Sequence, residues 1–210
     1  MGEVSTLLST MRLVPVIVLD DAADAWPLAQ ALKAGGLPCA EVTLRTPAAE
    51  EALREMAKDA DILLGAGTVL RPEQVDLAVK AGAKFIVTPG YSAAVVERCR
   101  SVGVPIIPGV ATPTEVQQAL EAGVDTVKFF PAESIGGARA LAAIAAPFGD
   151  MRFVPTGGIT AANVGDYLAL PSVLAAGGSW MAGRDLVRAG RFEEITRLTS
   201  EAVAIVGAAS

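Results

Sequence analysis

Thr126-Val127-Lys128-Phe129-Phe130-Pro131-Ala132-Glu133 is a β-branched and aromatic run with one lysine in its middle. In a strand, alternate side chains go to opposite faces, so Thr126, Lys128 and Phe130 share one face and Val127 and Phe129 the other. Lys128 therefore projects from an apolar strand. A buried ammonium is costly unless it is paired or gives up its proton, and a neutral, desolvated amine is what attack on a carbonyl requires. A lysine at a strand end can equally run its stem along apolar surface and leave its charge in water. The surroundings supplied by the rest of the chain decide between the two.

Outward from this strand the chain repeats one unit. Upstream, Thr112-Pro113 caps a helix with Val116, Ala119 and Leu120 on one face and Gly123 as its stop. Before it come a strand over residues 104–110, a helix over 93–102 and a strand over 84–89. A further helix opens at Pro72, carries Val75, Ala78 and Val79, and stops at Gly82. The strand over 61–69 contains Gly65-Ala66-Gly67-Thr68, and the strand over 40–45 leads to Thr46-Pro47 as cap and first-turn proline. The first strand covers 13–19, with Asp20, Asp21 and Asp24 as capping carboxylates for a helix ending at Gly35-Gly36, and residues 2–11 read as a lead helix. Downstream lie a helix within 138–146, a strand over 152–155, a short helix over 161–168, a last strand over 172–176, and helical stretches over 185–189 and 191–206.

Strands alternating with helices in this way build a parallel sheet with helical crossovers. Pro72, Val75, Ala78, Ala81 and Gly82 recur as Pro113, Val116, Ala119, Ala122 and Gly123, an echo two βα units apart that suits a closed ring of equivalent units. The fold expected is α/β: a single (β/α)8 TIM barrel with a short N-terminal helix, one domain over residues 1–210. A doubly wound open sheet is the alternative, and the Leu19-Asp20-Asp21 turn lacks the glycines that fold places after its first strand.

Composition narrows the chemistry. The chain has 210 residues, 52% of them hydrophobic, enough for a sizeable core. With 17 basic and 23 acidic residues the net charge is −6, which argues against a nucleic acid or membrane partner and for a small molecule. The longest apolar run, 13–19, is too short to span a bilayer and contains Pro15, so a cytoplasmic protein is expected. Cys39 and Cys99 stand alone and read as free thiols in a reducing compartment. There is no histidine, which removes Ser-His-Asp triads, Cys-His pairs and His-ligated metals, and leaves acid-base work to carboxylates, Lys, Tyr, Cys or water.

In a barrel, alternate strand residues face the axis. Val42 and Leu44 are the outward set of the second strand, which leaves Glu41, Thr43 and Arg45 inward, and Lys128 faces inward from its own strand. A lysine, a glutamate and an arginine would then converge near the C-terminal strand ends, where barrel chemistry sits; a self-neutralising structural network is the plainer alternative. Thr156-Gly157-Gly158-Ile159 after the seventh strand and Gly177-Gly178-Ser179 after the eighth have the form of a phosphate cradle, with a helix start near Ser179 adding partial positive charge. Trp180, Phe148 and Tyr91 read as packing.

Five segments resemble one family: Glu41-Val42-Thr43-Leu44-Arg45-Thr46, Gly65-Ala66-Gly67-Thr68-Val69, Val127 to Glu133, Pro155-Thr156-Gly157-Gly158-Ile159 and Gly177-Gly178-Ser179-Trp180. They are similar to the signature segments of the 2-keto-3-deoxy-6-phosphogluconate aldolases, class I enzymes that also act on 4-hydroxy-2-oxoglutarate. The resemblance implies a homotrimeric barrel of the Entner-Doudoroff pathway, taking a 2-keto acid phosphate as substrate; no cofactor or metal is expected, since an imine supplies the electron sink and the chain has no histidine ligands. It implies Lys128 as the Schiff-base lysine, Glu41 as proton shuttle, Arg45 and Thr68 near the substrate carboxylate, and Thr156, Gly157, Gly158, Gly178 and Ser179 near the phosphate and hydroxyls. The first strand lacks the arginine that some relatives carry there. Rival expectations are the galactonate-epimer aldolase, a metal-enolate lyase, a sugar-phosphate epimerase, and a catalytically silent binding barrel.

Overall fold

Parallel strands alternating with helices bury one face under the helices, and when the sheet closes into a barrel its other face becomes the interior. The computed structural model describes residues 3–208. In chain order the elements are α1 (Glu3–Met11), β1 (Leu13–Ile17), α2 (Ala25–Ala34), β2 (Cys39–Thr43), α3 (Ala49–Met56), β3 (Leu63–Gly67), α4 (Pro72–Lys80), β4 (Phe85–Val87), α5 (Ala93–Val102), β5 (Ile106–Ile107), β6 (Gly109–Val110), α6 (Pro113–Glu121), β7 (Thr126–Phe129), α7 (Gly137–Ala145), β8 (Arg152–Pro155), α8 (Val164–Leu168), β9 (Ala176–Gly178), α9 (Arg184–Arg188) and α10 (Phe192–Ala208). The lead helix is expected from Gly2, which lies outside the described residues.

All strand pairs are parallel, in the orders β5-β4-β3-β2-β1-β9 and β6-β7-β8. Two seams join these arcs into a barrel. At the first, β5 and β6 are halves of the single strand expected over 104–110, parted by Pro108. Proline has no N–H for the ladder, yet its carbonyl still accepts from Lys128 N at 2.8 Å. At the second seam, bridges Phe153↔Val173 and Thr156↔Gly177 link β8 to the stretch that ends in β9.

The last strand is placed later than the expected 172–176. Its ladder pairs Ala176, Gly177 and Gly178 with Leu13, Val14 and Pro15, so the two glycines are themselves strand residues. Crowding explains their identity: a Cβ on Gly177 would overlap the Thr156 side chain, and one on Gly178 the Trp180 ring. The first strand ends at Ile17, short of Leu19, and α8 begins at Val164, later than residue 161.

Capping follows the expectation at some helices and departs from it at others. Helices α4 and α6, the pair behind the sequence echo, each begin on proline and are followed by a left-handed glycine, Gly82 at φ +103 and Gly123 at φ +75. Thr112 and Glu115 form a capping box on α6. Thr46 does not cap α3: its hydroxyl donates to Leu19 O, and the helix starts at Ala49 with no side-chain cap. Of the three early aspartates, Asp21 accepts from Ala23 N at 2.9 Å, Asp24 makes no cap bond, and Asp20 turns to Arg184.

The core is one cluster in which Val127, Phe129, Phe153 and Phe85 are fully buried. Helix α1 lies at the N-terminal ends of the strands, where Ser5 Oγ is 3.5 Å from Thr126 Oγ1. The opposite ends are left open for chemistry.

Candidate active site

Lys128 and Glu41 meet inside the barrel. Lys128 is held in β7, paired with Gly109 on one side and Val154 on the other, and Glu41 sits in β2 opposite Gly65. Lys128 Nζ donates to Glu41 Oε1 at 3.0 Å, with the two residues only 6% and 3% exposed. The Phe130 ring centroid lies 5.4 Å from Nζ, a cation–π distance. Room for the carboxylate comes from Gly67, where a Cβ would overlap Glu41 Oε1, and Gly65 likewise makes way for the Phe85 ring. Thr43, two residues on from Glu41, donates to Ile17 O at 2.8 Å and ties β2 to β1. A buried amine hydrogen-bonded to a carboxylate is a nucleophile beside a group that can take its proton. Cys39, two residues before Glu41, is different: burial first, and the Glu41 charge second, push its thiol far above the usual range and leave it inert.

Arg45 is not in this enclosed space. Regular alternation ends with β2 at Thr43, the backbone turns as Arg45 N donates to Thr43 O at 2.8 Å, and the Arg45 side chain is exposed at the rim. Thr68 follows β3 directly and is half-buried, with a left-handed backbone at φ 56. The structure thus brings Lys128 and Glu41 into contact, and leaves Arg45 and Thr68 at the ends of neighbouring strands.

The two glycine stretches do come together. Phe130, Thr156, Gly157, Gly158, Gly178 and Ser179 line one cavity of about 140 Å³ at the barrel mouth. Thr156 is buried, its hydroxyl 3.4 Å from Val154 O. Gly157 and Gly158 have φ of +103 and +78, conformations that side-chain-bearing residues rarely adopt. The helix expected after Ser179 is only a 3-10 turn, Trp180–Ala182, so few aligned peptide dipoles stand behind this cavity. Larger cavities of about 410 and 490 Å³ lie by α1 at the other end of the barrel. Among the described residues, no group of three or more Cys, Asp or Glu is placed to hold a metal ion.

Two residues near this cavity escaped the sequence reading. Asn163 Nδ2 donates to Gly158 O at 3.1 Å, and Tyr167 OH donates to Glu133 Oε1. The signal for Asn163 was its spacing three residues after Thr160, whose N–H its side chain reaches back to accept at 2.8 Å, as the third residue of a capping box does. Tyr167 carried none, because its partner is 34 residues away.

The model for "KDPG and KHG aldolase" matches residues 4–198. A 2-dehydro-3-deoxy-phosphogluconate aldolase of Treponema pallidum is 50% identical, over 95% of this chain and 96% of its own. The structure of a KDPG aldolase from Legionella pneumophila, with pyruvate captured as a covalent carbinolamine, superposes with a TM-score of 0.91 at 40% identity, covering 95% of this chain and 97% of that one. The Zymomonas mobilis 2-keto-3-deoxy-6-phosphogluconate aldolase with 3-phosphoglycerate gives 0.89 at 43% identity, covering 97% and 96%. With its buried lysine-carboxylate pair at the centre of a parallel barrel, this chain belongs to the KDPG and KHG aldolase family.

Proposed function

We propose that this protein is a class I aldolase that cleaves 2-keto-3-deoxy-6-phosphogluconate to pyruvate and glyceraldehyde 3-phosphate through an imine on Lys128, and that it also acts on 4-hydroxy-2-oxoglutarate. One observation carries the reading: Lys128 Nζ and Glu41 Oε1 are 3.0 Å apart inside the barrel, each the other's hydrogen-bond partner.

The neutral Lys128 amine adds to the substrate C2 carbonyl, and loss of water gives a cationic imine that can accept an electron pair. Glu41, directly or through water, takes the proton of the C4 hydroxyl. The C3–C4 bond then breaks, its electrons passing into the imine to give an enamine, and the aldehyde leaves as glyceraldehyde 3-phosphate. Glu41 returns a proton to C3 of the enamine, and water hydrolyses the resulting imine to pyruvate and free Lys128. The Phe130 π-face beside Nζ suits the imine cation. Arg45, free at the rim to swing toward an anion, and Thr68 bind the substrate carboxylate; Thr156, Gly157, Gly158, Gly178 and Ser179 bind the phosphate and hydroxyls. The chain works as one barrel domain over residues 1–210 and assembles as a homotrimer, for which the family resemblance is the support.

Borohydride added in the presence of pyruvate should fix a covalent adduct on Lys128, located by peptide mapping, and Lys128→Ala should abolish it. An adduct confined to Lys84 or another lysine would falsify the assignment.

A further inference from the structure

The glycine loop after β8 is gripped from behind. Thr156 O accepts from Ala132 N at 2.8 Å, Gly157 O from Glu133 N at 3.0 Å, and Gly158 O from Asn163 Nδ2 at 3.1 Å. In a trans peptide the C=O and N–H point in opposite directions. Tying the carbonyls of Gly157 and Gly158 to these donors therefore turns the amides of Gly158 and Ile159 the other way, toward the cavity that those residues line with Ser179. Successive amides offered from one concave stretch of backbone make a nest for an anion.

The groups that grip the loop are themselves fixed. Glu133 is exposed overall, but its carboxylate accepts from Tyr167 OH on α8, a residue only 1% exposed. Burial, and then the Glu133 hydrogen bond, push the Tyr167 phenol up, so it remains a donor at neutral pH. A Cβ added at Gly158 would come within 2.6 Å of the Glu133 Cβ, which shows how closely the two stretches are packed. Asn163 Oδ1 accepts from Thr160 N at 2.8 Å, and this contact sets the amide so that Nδ2 faces Gly158 O.

We propose that Asn163, Glu133 and Tyr167 are positioning residues that set the peptide orientation of the glycine loop, and so determine its affinity for phosphate, without touching the substrate. The proposal deepens the aldolase reading and rests on it for the identity of the phosphorylated substrate. The carboxylate of Glu133 serves here as an acceptor and its charge is incidental, so a neutral acceptor of the same shape should serve as well.

The test compares Asn163→Ala, Glu133→Ala, Tyr167→Phe and Glu133→Gln with wild type. Asn163→Ala and Glu133→Ala should each raise KM for 2-keto-3-deoxy-6-phosphogluconate about tenfold, the scale of one lost orienting hydrogen bond, with kcat little changed. Tyr167→Phe should follow in the same direction, and Glu133→Gln should restore wild-type behaviour. The dissociation constant for inorganic phosphate, from an NMR titration, should rise in the same three variants, while pyruvate methyl-proton exchange stays at the wild-type rate. Unchanged phosphate affinity in Asn163→Ala and Glu133→Ala, or a parallel loss of pyruvate exchange, would overturn the proposal. A chain that fails to trap pyruvate on Lys128 would instead refute the aldolase reading, and the phosphate titration, which needs no turnover, would still decide this one.

Discussion

Glu41 is the residue proposed to move protons at Lys128. Its Oε1 lies 3.0 Å from Lys128 Nζ, and with no histidine in the sequence the carboxylate is the acid-base group at hand. Glu41→Gln keeps the shape and the hydrogen bond but cannot carry a proton back and forth. Cleavage and pyruvate methyl-proton exchange should fall by roughly 10²- to 10⁴-fold, the usual size of a general acid-base contribution, while borohydride trapping survives. Exchange at the wild-type rate in this variant would remove Glu41 from the mechanism. The same reaction needs no external electron sink once the imine has formed, so exhaustive chelation should leave turnover unchanged. Activity lost to chelator and restored by a divalent ion would favour a metal-enolate route.

At the level of elements, β2 and β3 work as a pair. Thr43 aligns with Gly67 in their ladder, and the Glu41 side chain lies across the space that a side chain at Gly67 would need. Gly67→Ala should therefore push the carboxylate off Lys128 without breaking the strand pairing. The expected outcome is a loss of pyruvate exchange on the order of 10²-fold, the lower end of the general-base range, with circular dichroism unchanged. A Gly67→Ala variant that exchanges at the wild-type rate would show that β3 has slack that its packing does not suggest. The interrupted strand at Pro108 follows a related logic: a residue that cannot donate splits β5 from β6, yet the barrel closes because its carbonyl still serves β7.

Across the whole molecule, acid stability depends on carboxylates that tie elements together. Asp59 is held below the usual carboxylate range chiefly by the hydrogen bond from Lys33, whose Nζ lies 2.8 Å from Oδ2, joining α2 to the turn after α3. Asp20 is held low by Arg184, joining the loop after β1 to α9. A carboxylate whose folded pKa lies below its unfolded value of about 3.9 contributes fully above that pH, and its contribution is lost as pH falls through the folded value. Urea midpoints measured from about pH 5 down to about pH 2.5 should thus fall less steeply for Asp59→Asn than for wild type. Parallel curves would show that this ion pair contributes nothing to acid stability.

Hydrophobic period and glycine or proline punctuation are local properties of the chain, and from them alone came the parallel barrel, the strand that carries Lys128, and the inward face shared by Glu41 and Lys128. Helix α5 and strand β8 were legible to the residue for that reason. Only the folded chain shows where alternation ceases, and so leaves Arg45 at the rim; it moves the last strand onto Gly177 and Gly178, and it sends the Thr46 hydroxyl to Leu19 in place of a helix cap. It alone brings Asn163 and the Glu133–Tyr167 pair behind the glycine loop. These outcomes depend on which hydrogen-bond partner and how much space a distant segment provides, and neither quantity is encoded in the residues on either side.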